Sequence, residues 1–88
     1  MTLSAYFENL LARVEASEIS NQGKDANGFF SPTRTLLLRH LQLLKDLHAT
    51  PGARPMVKDA WKFVVEHLPP DWLVMPAELK SEMKKILA

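Results

Sequence analysis

The chain has no cysteine. That absence removes disulfides, thiolate metal sites and cysteine nucleophiles together. Small secreted domains usually depend on disulfides, so a cysteine-free chain of 88 residues is expected in a reducing cytoplasm. No window approaches the ~18 apolar residues of a membrane span, and no membrane partner is expected. The first charges are Glu8 and Arg13, so no basic region precedes an apolar run and nothing resembles a signal peptide. A strong charge of one sign is also missing. Eleven Lys and Arg face ten Asp and Glu, a net charge of +1, where a dedicated nucleic-acid binder carries a clear basic excess.

Chemistry is sparse as well. No serine sits in a G-x-S-x-G setting. Gly23 and Gly28 lie in a polar stretch that neither follows a strand nor opens onto Lys-Ser/Thr, so no phosphate loop is expected. The three histidines are His40, His48 and His67. His40 and His48 are eight apart, roughly 12 Å along one helix, too far to chelate as a pair. No HExxH pattern is present. His40 and His67 fall on apolar helix faces, where a core histidine bonded to a backbone carbonyl is the expected state. A shared site would need the fold to bring them together near Glu66 or Asp71. No cofactor, metal or catalytic residue is expected, and the chain reads as a non-enzyme. No segment alternates at period two over a useful length, and there is no repeat or low-complexity tract.

What is present is helical periodicity in one domain spanning 1–88. A domain this small buries only roughly 60–65% of the surface its unfolded chain exposes. In TLSAYFENLLARVEASE, Leu3, Tyr6, Phe7, Leu10, Leu11 and Val14 form one stripe, and Thr2 or Ser4 can cap its start. ISNQGKDANGFF breaks the pattern with an Asn27-Gly28 turn signal. It is long for a connection between packed helices, and Phe29 and Phe30 are expected to pin its end to the core. Ser31-Pro32 starts a second helix, Ser as cap and Pro in the first turn. Its broad face of leucines has two anomalies: His40 lies inside the apolar arc and Leu38 outside it.

Pro55 opens a third helix, MVKDAWKFVVEHL, and Pro69 ends it. Its apolar residues cover about 200° of its girth, well over the ~100° a surface helix needs. A helix so covered is either central or part of an interface. A fourth helix, PAELKSEMKKILA, turns Leu79, Met83, Ile86 and Leu87 inward. Its glutamates stand early and its lysines late, which suits the helix dipole. Lys62 and Glu66 stand at ion-pair spacing, the ordinary solvated arrangement. The expected fold is all-α, a small bundle of four helices in which a three-helix core carries a C-terminal helix, with one long loop between the first two.

The connection from His67 to Pro76 poses the sharpest question. It sets Trp72, Leu73, Val74 and Met75 between two proline breaks, although connections are usually polar. Trp72 is expected to fold back as a plug between the third and fourth helices, with Asp71 capping a short turn and Leu73 or Met75 at the exposed edge. The apolar excess points to a protein-interaction domain, with self-association as a homodimer its simplest form. The candidate interface is Leu38, Met56, Phe63, Leu73 and Met75. The alternative is a small DNA- or RNA-binding regulator using Arg54, Lys58, Lys62, Lys80 and Lys84.

Overall fold

The structure, a computed structural model, describes residues 1–21, 23–24 and 30–88. It is an all-α bundle of four helices: α1 (Leu3–Glu15), α2 (Thr33–Leu47), α3 (Arg54–His67) and α4 (Ala77–Leu87). Short 3-10 turns, Pro51–Ala53 and Pro70–Leu73, lie in the last two connections. In the long connection, β1 (Gly23–Lys24) and β2 (Phe30–Ser31) pair antiparallel, Gly23 opposite Ser31 and Lys24 opposite Phe30. No longer strand occurs among the described residues. The Asn27-Gly28 turn lies outside them, as do Phe29 and the side chain of Phe30.

In α1 all six stripe residues are buried, and Thr2 caps the start, its Oγ1 accepting from the Ala5 amide at 3.1 Å. The far end of α1 is closed by α2. The Arg34 guanidinium donates to the carbonyls of Glu15 (2.8 Å), Val14 (2.9 Å) and Ile19 (3.1 Å). These include carbonyls that a helix end leaves without partners, and a cation there also suits the dipole.

The start of α2 is closed in return. Asn21 Oδ1 accepts from the Thr35 amide at 2.9 Å and its Nδ2 donates to Thr35 Oγ1 at 2.8 Å. Ser31 was the expected cap, but Pro32 occupies the cap position and offers no side-chain bond. The Ser31 side chain lies outside the described residues, and Asn21, reaching across from the connection, caps the Thr35 amide. At the other end of the seam Lys45 Nζ lies 3.9 Å from Glu8, the only salt bridge among the described residues. Lys62 and Glu66 do not pair. Exposed pairs of this kind gain almost nothing over hydration.

Phe7 stands at the centre of the core and is wholly buried. Its ring meets Tyr6 (5.8 Å), His48 (5.7 Å) and Trp61 (6.2 Å), so α1, the end of α2 and α3 converge on one side chain. Leu37, Leu41, Leu44, Val57, Ala60, Val64, Leu79 and Met83 complete that core. The Tyr6 hydroxyl is buried without a hydrogen-bond partner among the described residues, and desolvation pushes its pKa above the ordinary 10.0.

The proline-bounded corner departs from expectation in three ways. Met75 is the plug, 8% exposed, while Val74 beside it is 74% exposed. Val74 is extended, and in extended backbone neighbouring side chains point to opposite sides. Trp72 is half-buried and lies under Arg13 of α1, the guanidinium 4.3 Å from the ring centroid, rather than between α3 and α4. Asp71 sits inside the 3-10 turn, whose cap position is Pro69.

Candidate binding groove between α3 and α4

The three seams of the bundle are unequal. α1 packs on α2, and α2 on α3, along much of their lengths, whereas α3 and α4 meet over a short stretch. The core-facing side of α3 is Val57, Ala60, Val64 and Leu68, all buried. At 100° per residue Trp61 falls just beyond that side, followed by Lys58 and Lys62. On α4 the inward residues are Leu79 and Met83, and Leu87, Lys80 and Lys84 come next around the helix.

Where these flanks diverge, a hollow of about 420 Å³ opens. Trp61, Leu73, Met83 and Leu87 form its floor, and Lys80 and Lys84 stand at its edge. A second hollow of about 420 Å³ adjoins it, sharing Trp61 and Leu87 and edged by Lys58, Lys62 and Asp59. The two make one trough with an apolar floor and a lysine pair on each wall. Each pair is four residues apart, about 6 Å along its helix. None of the four lysines has a carboxylate within salt-bridge distance among the described residues.

The expected interface residues do not make one face. Leu38 is half-buried on the same stripe of α2 as Arg34 and Lys45, both of which reach α1. Phe63 is half-buried on the other side of α2, about 160° round the helix, where His40 meets it. Met56, 52% exposed, lies near Phe63 on α3. Leu73 belongs to the trough, and Met75 is buried against its floor and offers little surface. Of the basic candidates, Lys58, Lys62, Lys80 and Lys84 all edge the trough. Arg54 lies apart, in a hollow with His48, Glu82 and Lys85.

His40 and His67 make the backbone bond expected of them, and His48 makes one too. Nδ1 lies 2.6 Å from the Leu36 carbonyl in His40, 3.0 Å from that of Leu44 in His48, and 2.8 Å from that of Phe63 in His67. A carbonyl only accepts, so Nδ1 carries the hydrogen in all three. His67 is exposed and not a core residue. The fold does bring His40 and His67 to one place, but with Phe63 between them: the rings stack at 4.4 Å and 4.0 Å on its two faces. That ring fills the space a shared metal would need, and neither Glu66 nor Asp71 forms a ligand group with them.

Trp61 and Leu87 join the two hollows, and periodicity alone places both in the core. Their signal is the lysine next to each apolar position around the helix, which marks an edge rather than a centre. No family model matches the chain, nor does any curated protein or solved structure.

Proposed function

We propose that the protein is a non-catalytic helical protein-interaction domain of a reducing compartment, and that its binding surface is the α3–α4 trough. The observation that carries this reading is the trough floor itself. Trp61, Leu73 and Leu87 pack against the core yet are only half-buried, and no other element among the described residues lines the hollows they face. Tryptophan and methionine in a pre-formed recess are residues that interfaces use at their centre, and lysines at the edge make a polar rim. Leu38 stands on the other side of α2 from Phe63 and Met56, so the three do not make one face for self-association. The lysine convergence favours the nucleic-acid alternative to one extent only: four cations border one trough, two on each wall. The floor between them is apolar and offers phosphates nothing.

Site-specific cross-linking in the cell that makes the protein tests the proposal. Lys84→benzoylphenylalanine places the probe at the trough, and Gln42→benzoylphenylalanine places it on the exposed side of α2. A protein adduct at the trough position alone is expected, and an adduct to a second copy would make the trough a self-interface. Cross-links to nucleic acid, or none that distinguish the two positions, would overturn the reading.

A further inference from the structure

The protein-binding reading fixes a place and not an occupant. Resting on that reading, we infer that the trough receives an acidic amphipathic helix of a partner protein. Four lysines against one aspartate edge it, in a chain whose overall charge is only +1. The cations gather here and have no carboxylate within salt-bridge distance among the described residues. Each wall repeats its charge after about 6 Å, close to one helical turn, so carboxylates four residues apart along each flank of a helix would meet them in register. Between the walls the floor accepts apolar side chains at i, i+3 or i+4, and i+7, the pattern by which an amphipathic helix enters a groove. Met75 and Met83, flexible and polarisable side chains lining the same hollow as Trp61, suit a floor that must fit a partner's side chains.

The shape disfavours an anionic membrane. Membrane docking needs apolar side chains that project beyond the cations, and here the apolar residues are recessed below them. Among the described residues, the most exposed large apolar ones outside the termini, Val74 at 74% and Met56 at 52%, belong to other surfaces. Rim charges of this kind act mainly on partner choice and association rate, and salt weakens them.

The test uses the full chain carrying Trp72→Phe, which leaves Trp61 as the single tryptophan. The probe is a synthetic peptide of about three turns, roughly 11 residues, with leucines at i, i+4 and i+7 and glutamates on both flanks. Its counterpart carries lysine for every glutamate. The glutamate peptide is expected to move Trp61 emission to shorter wavelength and to saturate, with Kd rising as salt is added. The lysine peptide should bind on the order of tenfold more weakly. Reversing Lys58, Lys62, Lys80 and Lys84 to Glu should invert that order. If this variant does not fold, the peptide pair and the salt series on the unreversed chain decide the matter.

Equal binding of both peptides, or preference for the lysine peptide, overturns the acidic occupant and leaves the trough as a protein site. Failure of both peptides, with protein cross-links still found at Lys84, overturns it in the same way. Binding of phosphatidylglycerol vesicles or a DNA duplex without either peptide overturns the protein-binding reading as well.

Discussion

The α1–α2 seam and the α3–α4 seam are built from helices of similar amphipathic pattern, yet one is closed and the other open. Along α1–α2 the polar groups at the helix ends find each other. Arg34 takes the carbonyls that end α1, and Asn21 takes an amide that starts α2. Along α3–α4 the polar groups beside the apolar floor are Asp59 and four lysines, and the lysines have no salt-bridge partner among the described residues. A seam whose polar edge is satisfied internally holds the fold; on the proposed reading, the one whose edge is mostly cationic and unpaired among the described residues holds a partner. In a domain this small, apolar surface left outside the core detracts from a thin stability margin, which gives the second seam its significance.

The largest contrast should come from truncating one apolar residue in each region. Phe7→Ala removes the ring on which three helices converge and should cost about 3–5 kcal/mol. Leu87→Ala, at the half-exposed edge of the trough, should cost about 1 kcal/mol or less in the same urea titrations. Equal losses would mean that the α3–α4 floor is core after all.

Arg34→Ala comes next. Its bonds are charge-assisted, and those to Val14 and Ile19 are part-buried, so about 1–3 kcal/mol is expected, seen as a lower urea midpoint. Arg34→Lys should recover little of this, because an ammonium cannot reproduce the planar fork that reaches three carbonyls. Asn21→Ala removes the remote cap of α2 and should cost about 1 kcal/mol. If it costs nothing, the closure of the first seam rests on Arg34 alone.

The smallest effect at neutral pH belongs to Tyr6→Phe. The hydroxyl has no hydrogen-bond partner among the described residues, so its removal should leave stability unchanged or slightly raised. The sign reverses in alkali. The folded pKa lies above the unfolded 10.0, so Tyr6 favours the folded state fully below that pH. Above it, the unfolded chain releases its proton first and stability falls as pH rises. The phenylalanine variant should lack that part of the decline. Tyr6 is the single tyrosine, so tyrosinate absorbance reports it directly.

Much of the closed seam was legible in the sequence. The α1 stripe, its Thr2 cap and the leucine face of α2 follow from spacing within a single helix. Arg34 and Asn21 were not legible as caps, since they act on residues 14 to 20 positions away and leave no local signature. The corner was half legible. Two proline breaks showed that it would be stiff, but which of Trp72, Leu73, Val74 and Met75 turned inward depended on the backbone angles at Val74. Leu38 looked stranded because its stripe also holds Arg34 and Lys45, and the polar ends of those two reach α1 past it. The trough was legible as two separate lysine pairs on two helices. Their meeting across one apolar floor is a property of the fold.

The most direct test of the contrast between the seams is an amide chemical-shift map recorded as the glutamate-flanked peptide is added. Shifts should cluster in residues 58–65 and 73–87 and leave 10–15 and 33–41 in place. Shifts spread evenly over both seams, or centred on α1 and α2, would contradict the assignment of one seam to folding and the other to binding.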